Sequence, residues 1–164
     1  MKYMKLIKLL YLGDRESLLR TGRPITGDRY VSMDSGPVLS KVYDLINEEP
    51  KTADSPWFEY ISKPEDYSVR LCKEEPETDE LSRFENGLLQ AMFEKYREMD
   101  QFDLAQLTHT ICPEWRDPEH SSLPIAPEDI LRAGGKSPEE IERIAQEALD
   151  LEFVGQFDSL AARG

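Results

Sequence analysis

Residues 2–20 read KYMKLIKLLYLGDRESLLR and have the apolar spacing of an amphipathic helix. The apolar face would be formed by Leu6, Leu9, Leu10, Tyr11 and Leu18. The cations Lys5, Lys8 and Arg15 are expected on another side of this helix. Gly22 suits the position just after a helix end, and Pro24 prevents continuation. The stretch therefore predicts a long first helix with one wide buried face.

The next residues predict a loop, one short strand and a second helix. The strand is expected at residues 29–33. Gly36-Pro37-Val38 is typical of a helix start, because a proline at the first helical position has its φ preset and loses no needed hydrogen bond. The buried stripe of this helix would be Val38, Val42, Leu45 and Ile46. Pro50 would end it.

Residues 57–73 have the pattern of a β-hairpin. Tyr67, Val69 and Leu71 alternate with Ser68, Arg70 and Cys72, as in a half-buried strand. The turn is expected at residues 64–66, and strand formers occupy residues 57–61. An acidic connector, residues 73–80, follows.

The remaining chain predicts helices with clear start signals. Ser82 and Glu85 form a capping box for a helix that reaches about Glu98, with a stripe of Phe84, Leu88, Ala91, Met92 and Tyr96. Asp100 would cap a helix over 101–110 whose Leu104, Leu107 and Ile111 point inward. Residues 112–126 are expected to be irregular, and Pro127 would start a brief helix that Gly134 ends. Ser137, Pro138 and Glu140 predict a last helix that runs to the mid-150s or beyond.

Together these elements predict one mainly α (α+β) domain over residues 1–164, a compact arrangement of about five to six helices with a small β-hairpin. A chain of 164 residues is long enough to bury a core without disulfides or metals.

The charge pattern favours a protein partner over nucleic acid. The net charge is −13, whereas phosphate-backbone binders depend on a basic surface. Residues 1–41 hold eight Lys/Arg and four Asp/Glu, while the remainder holds twelve and twenty-nine. Two surfaces of opposite sign would orient a docking partner. A helix-turn-helix over 82–111 is possible in outline, but its second helix lacks Arg and Lys to reach DNA.

The sequence predicts a cytoplasmic protein that does not enter a membrane. Cys72 and Cys112 are too few for a disulfide framework, so free thiols in a reducing compartment are expected. No stretch approaches the roughly 20 apolar residues of a membrane span. The first 13 residues differ from a signal peptide because Lys5 and Lys8 interrupt the apolar core.

No motif predicts an enzyme, a metal or a cofactor. Gly134-Gly135-Lys136-Ser137 resembles the end of a phosphate-binding loop, but Ile130 stands where the first glycine is needed. Cys72, His109, Cys112 and His120 lack the tight paired spacing of zinc ligands. Ser35 has no Gly-x-Ser-x-Gly frame and is better explained as leading into the second helix.

The remaining candidate is an interaction surface, because aromatic residues and arginine dominate interface hot spots. The first 45 residues supply such side chains: Tyr3, Tyr11, Arg15, Arg23, Arg29, Tyr30 and Tyr43. Tyr11 and Tyr43 lie on apolar faces, so a place in the core is an equally good interpretation for both.

Several segments in combination resemble one known family. They are residues 4–12 (MKLIKLLYL), Gly22-Arg23-Pro24-Ile25, and Ser35-Gly36-Pro37-Val38 followed by Val42-Tyr43. Leu107-Thr108-His109 and Pro113-Glu114-Trp115 match the family's second half. The chain is similar to the Panacea domain, or SocA-like antitoxin domain, of bacterial and phage toxin–antitoxin systems, over nearly its whole length.

This resemblance implies a non-enzymatic antitoxin of a type II-like system that binds and neutralises a protein toxin encoded by a neighbouring gene. A second possibility is a proteolytic adaptor that delivers the toxin to a AAA+ protease, or a protein-binding regulator. The residues predicted to bind the partner are Lys5, Lys8, Tyr11, Arg15, Gly36, Pro37 and Tyr43. Family members usually carry another helix before the Lys-Leu-Leu-Tyr segment; without it, part of the apolar face of residues 6–18 would be uncovered and available to a partner.

Overall fold

The computed structural model describes residues 1–47, 56–73 and 80–161. The helices are α1 (Tyr3–Thr21), α2 (Ser40–Asn47), α3 (Trp57–Tyr60), α4 (Arg83–Tyr96), α5 (Gln101–Ile111), α6 (Pro127–Ala133) and α7 (Pro138–Ala161). The strands are β1 (Tyr30–Met33), β2 (Gly36–Leu39) and β3 (Leu123–Ile125), in an antiparallel sheet of order β2-β1-β3. The prediction of a mainly helical fold with a small β element is confirmed. The described residues hold seven helices, more than expected, because residues 57–60 form a helical turn instead of strand.

Helix α1 is the centre of the fold. It packs against α4, α5, α6 and β2, and its buried residues include Ile7, Leu9, Tyr11, Leu12 and Leu18. As predicted, Gly22 ends it with φ of 75°, and its N–H donates to the Leu18 carbonyl at 2.9 Å. Because neighbours surround α1 on most sides, the buried surface also includes Lys8 and Asp14. The prediction that Lys8 lies with Lys5 on a separate polar side was therefore wrong.

The second helix starts later than predicted, because Gly36-Pro37-Val38 belongs to β2. Met33 pairs with Gly36 across a turn formed by Asp34 and Ser35. Gly36 has φ of 96°, which favours glycine, and Pro37 is tolerated because β2 is an edge strand.

Helix α2 starts at Ser40, where the Asp28 carboxylate accepts the backbone N–H groups of Lys41 (3.0 Å) and Val42 (3.1 Å). Val42 and Ile46 are buried as predicted, whereas Val38 is buried as part of β2. The predicted helix end at Pro50 lies outside the described residues.

Residues 57–73 fold back on themselves, although only isolated bridges join the two arms. The Cys72 N–H donates to the Tyr60 carbonyl at 2.7 Å. The turn lies at Asp66 and Tyr67, with φ of 48° and 58°, and not at 64–66. This shift places Tyr67 at an exposed tip and leaves Val69 as the buried member of the predicted stripe. Of the predicted acidic connector, residues 74–79 lie outside the described part.

The later helices begin where their start signals predict. Ser82 with Glu85 and Ser137 with Glu140 form reciprocal capping boxes, and Asp100 caps α5. The stripe predicted for α4 was too wide, because Leu88 and Tyr96 are buried while Phe84 is 42% exposed. Strand β3 was missed in a proline-rich segment; it too is an edge strand, where Pro124 is tolerated. In the described ranges, no helix combines the length and apolar character that a membrane span needs.

Candidate functional site

A buried polar junction joins α1 to the residues that follow α5. The Tyr11 hydroxyl donates to Glu114 Oε1 at 2.7 Å, and Arg15 Nε donates to the same oxygen at 2.6 Å. A second bond runs from Arg15 Nη2 to Glu114 Oε2 at 3.2 Å. Burial, with the nearby Glu114 carboxylate, raises the pKa of the Tyr11 phenol, so Tyr11 acts as a neutral donor. These side chains hold the chain after α5 against α1.

Lys8 and Gly36 form a second close contact between α1 and the sheet. The Lys8 ammonium donates to the Pro37 carbonyl at 2.9 Å, inside the protein. Burial lowers the pKa of Lys8 to about 7. A Cβ added at Gly36 would overlap the Thr108 hydroxyl and lie 3.1 Å from Lys8 Nζ. Only glycine allows this approach of β2 to α1 and α5.

The end of α5 is fixed to β1 by aromatic stacking. The rings of His109 and Trp115 lie 4.1 Å apart at 18°, and Trp115 Nε1 donates to the Met33 carbonyl at 2.9 Å. His109 Nε2 is buried without a hydrogen-bond partner among the described residues. Burial, with the nearby Lys8 charge, lowers the pKa of His109, which favours the neutral imidazole.

The Gly22–Ile25 segment is held by the buried carboxylate of Asp14. This carboxylate accepts bonds from the backbone N–H groups of Ile25 (2.7 Å) and Thr26 (2.8 Å). It also accepts bonds from the hydroxyls of Thr26 (2.9 Å) and Tyr30 (3.0 Å). The segments on which the sequence resemblance rests thus mainly hold elements of the fold together, and their polar groups form hydrogen bonds inside the protein.

A solvent-accessible groove of about 330 Å³ lies beside these buried contacts, and we name it the α1–α2 groove. Its lining comes from α1, β1, the β1–β2 turn, β2, α2 and the loop before β3: Tyr3, Met4, Ile7, Lys8, Met33, Asp34, Ser35, Val38, Tyr43, Asn47, His120 and Ser121. At its edge, the ring atom Nδ1 of His120 lies 3.2 Å from Asp34 Oδ2, and the backbone N–H of His120 donates to Asp34 Oδ1 at 3.1 Å. The groove therefore combines apolar walls, a polar rim and one buried amine.

The predicted partner-binding residues do not form one surface. Lys8 and Tyr43 line the groove. Tyr11, Gly36 and Pro37 are buried in the core, and Arg15 belongs to the junction with Glu114. Lys5 lies elsewhere: its Nζ donates to the carbonyls of Arg97 (2.6 Å) and Met99 (2.7 Å) beyond the end of α4.

Sequence reasoning missed most of the groove residues. Asp34 and Ser35 enter it because residues 34–35 form a hairpin turn and not a helix start. His120 and Ser121 come from a segment more than 80 residues away, brought close by the pairing of β3 with β1. A signal for the turn existed in Asp-Ser-Gly between two apolar segments. Nothing in the sequence places residues 120–121 beside it.

The other motifs have structural explanations. Gly134 ends α6 and Ser137 caps α7, as the alternative to a phosphate loop predicted. Cys72 is exposed and Cys112 is buried, and both are free thiols. Within the described ranges, no three His, Cys, Asp or Glu side chains form a group that could hold a metal ion.

Comparison with known proteins finds one family. The model of the family described as antitoxin SocA-like, Panacea domain, matches residues 6–116. This range includes the polar junction and the groove residues Ile7 and Lys8 of α1, together with those of the β1–β2 hairpin and α2. No curated protein and no solved structure matches the chain.

Proposed function

Because the chain belongs to the SocA-like antitoxin family with a Panacea domain, we propose that it neutralises a protein toxin encoded by a neighbouring gene through direct binding, as in a type II toxin–antitoxin system. The observation that supports this most strongly is the family match, which covers residues 6–116. A binding function also agrees with a groove that has apolar walls and a polar rim.

We place the toxin contact at the α1–α2 groove. Its exposed lining includes Asp34, Ser35, Asn47, His120 and Ser121. Concave surfaces with apolar walls and a few polar groups are typical of sites that accept an anchoring side chain. This replaces the surface expected from the sequence, because Tyr11, Gly36 and Pro37 are buried in the core and do not line the groove.

The proposal is tested by co-expressing the chain with each neighbouring gene. We expect one neighbour to arrest growth alone, to be tolerated when this chain is present, and to co-purify with it. Rescue without a complex would contradict neutralisation by direct binding. The absence of any toxic neighbour would contradict the proposed function as a whole.

The position of the contact is tested by a pair of identical substitutions. Ser121 lines the groove, whereas the adjacent exposed Ser122 does not. Ser121→Trp should fill part of the groove and abolish rescue, while Ser122→Trp should leave rescue intact, with both variants folded by circular dichroism. Equal rescue by both variants would place the toxin elsewhere on the molecule.

A second candidate function, a proteolytic adaptor, is favoured by α7. This helix continues to Ala161, and its Leu149 and Leu151 are 59% and 47% exposed. Exposed apolar side chains on an acidic helix suit a second protein partner. Deleting residues 150–164 should then preserve toxin binding but stop toxin degradation in cells. Unchanged degradation would contradict the adaptor function.

A further inference from the structure

Lys8, which lines the α1–α2 groove, has a buried amine with no described carboxylate partner. Lys8 is 1% exposed and its Nζ has one hydrogen-bond partner, the uncharged Pro37 carbonyl. An ammonium carries three donor hydrogens, and a buried cation normally pairs with an anion. No carboxylate pairs with Lys8 within residues 1–47, 56–73 and 80–161, whereas Arg15 and Arg20 of the same helix each pair with a glutamate.

A second polar group with unused hydrogen-bonding capacity lies beside the Lys8 amine. His109 Nε2 is the single buried side-chain polar atom without a partner in the described residues. Lys8 and His109 converge on Gly36: a Cβ placed there would lie 3.1 Å from Lys8 Nζ and 3.2 Å from His109 Cδ2. Two buried polar groups, one without a hydrogen-bond partner and one with a single uncharged partner, thus share one small region between α1, α5 and β2, and such groups call for a ligand or water.

We propose that the groove accepts an acidic side chain, Asp or Glu, of the toxin, whose carboxylate pairs with the Lys8 ammonium. This inference rests on the proposed antitoxin function and names the chemistry of its partner. The groove supplies apolar walls for the methylene part of the side chain, and Lys8 is the only residue with a basic amine or guanidinium among the described residues that line it. Because Lys8 is 1% exposed, the groove walls must move apart for the carboxylate to reach Nζ. A carboxylate there forms a charge-assisted bond in a place sheltered from water, where such bonds are strong.

The pairing predicts that binding takes up a proton. Burial lowers the pKa of Lys8 to about 7 in the free protein, so the amine is largely neutral at pH 8. A bound carboxylate favours the ammonium and raises this pKa again. The dissociation constant should therefore increase about eightfold between pH 7.5 and 8.5, if the pKa in the complex exceeds that range.

Other titratable groups face Lys8 or the groove. His109 of α5 and Cys112, which directly follows α5, lie near the amine. Asp34 and His120 lie at the rim, and Tyr3 and Tyr43 line the walls. The pKa of Cys112 is raised to about 12 by burial, and that of His109 is lowered, so both are neutral from pH 7.5 to 8.5. Lys8→Met isolates the contribution of Lys8 to the pH dependence of binding, because it removes the amine and leaves the other groups in place.

The experiment titrates this chain with the toxin identified by growth rescue, using calorimetry at pH 7.5 and 8.5 in buffers of different ionisation enthalpy. We expect proton uptake on binding, about eightfold weaker affinity at pH 8.5, and loss of at least ~30-fold in affinity with Lys8→Met. Lys63→Met, which removes an exposed lysine outside the groove, should change neither the affinity nor the proton uptake. Equal affinity and equal proton uptake for Lys8→Met and the unsubstituted chain would overturn the inference while leaving the antitoxin function standing.

A direct measurement covers the case in which Lys8→Met does not fold. NMR of the lysine side chains in the unsubstituted protein should report a Lys8 pKa near 7 when free and at least one unit higher in the complex with the toxin. A pKa near 10.5 in the free protein would mean that a carboxylate of this chain already pairs with Lys8 and would overturn the proposal. A pKa that stays near 7 in the complex would also overturn it. If no neighbouring gene product binds at all, the proposed function fails first.

Discussion

Replacing Gly36 by alanine tests whether the hairpin and α5 are packed as tightly as the structure indicates. Gly36 has φ of 96°, and a Cβ there would overlap the Thr108 hydroxyl and approach Lys8 Nζ to 3.1 Å. The unfavourable backbone costs an L-residue roughly 1–2 kcal/mol. Overpacking in a tight interior adds typically 1–3 kcal/mol. We therefore expect Gly36→Ala to lower the free energy of unfolding by about 3 kcal/mol.

Gly27→Ala is the matched control for the backbone contribution. Gly27 also has positive φ, 59°, but nothing lies within 4 Å of a Cβ built there. This substitution should cost only the backbone part, about 1 kcal/mol. Urea denaturation monitored by tryptophan fluorescence and circular dichroism measures both variants. In thermal unfolding, 3 kcal/mol corresponds to a decrease of roughly 6–12 °C for a chain of this size.

A double substitution locates the overlap. Thr108→Ala removes the hydroxyl that the new methyl group would meet, so Gly36→Ala should cost less in that background than in the original chain, by about 1 kcal/mol or more. The same cost for Gly36→Ala and Gly27→Ala would refute the close approach of β2 to α5. Additive effects of Gly36→Ala and Thr108→Ala would refute the assignment of that approach to Thr108.

Four further substitutions test the buried polar groups. Glu114→Ala leaves the Arg15 guanidinium and the Tyr11 hydroxyl without their acceptor, so it should lower the free energy of unfolding by roughly 3–5 kcal/mol in urea denaturation. Glu114→Gln should lower it less, because it keeps one acceptor. Equal losses of stability in the two variants would contradict the charge pairing. Asp28→Ala removes the acceptor for two N–H groups at the start of α2 and should cost about 1–2 kcal/mol, with faster amide exchange in that first turn; unchanged exchange would argue against capping from a distance. Because burial lowers the pKa of Lys8 from 10.5 to about 7, the unfolded chain binds more protons than the folded one above pH 7, so stability should rise with pH from 7 to 8.5 by up to about 1.4 kcal/mol per unit. Lys8→Met should flatten this rise, and an identical slope in both proteins would show that other groups cause it.

Most of the helical fold could be predicted from the sequence because its signals are local. The capping box of Ser82 and Glu85, the Asp100 cap and the glycine end at Gly22 each depend on residues within four positions of one another. Such signals act through hydrogen bonds that the local chain makes wherever it lies. They therefore appear in the structure at the expected residues.

The predicted second-helix start failed because a local signal was ambiguous. Gly36-Pro37 fits a helix start, but it equally fits an edge strand entered through a glycine with positive φ. The choice was made by pairing with β1 and by capping of α2 from Asp28, which lies 12 residues before the helix begins. Neither interaction is visible in the spacing of residues 36–39.

The candidate site was predicted less well than the fold, because a site depends on long-range proximity. The sequence singled out Lys8 and Tyr43, which line the groove, but also Tyr11 and Arg15, which the structure directs to Glu114, about 100 residues away along the chain. A motif shows that residues matter to a family, and it does not show whether they face a partner or the core. Here the motif residues are mostly buried and hold elements of the fold together.

The sequence alone was sufficient for the helical class, for most of the helix starts and for the family, since each depends on short segments whose meaning changes little with their surroundings. Only the tertiary structure decided that Lys8 is enclosed, that Gly36 opens a strand, and that residues 34–35 and 120–121 share one groove. These features arise from packing around α1, where burial of apolar surface brings distant segments together and carries polar side chains with it. The surface that a partner can meet is what remains after that packing is complete.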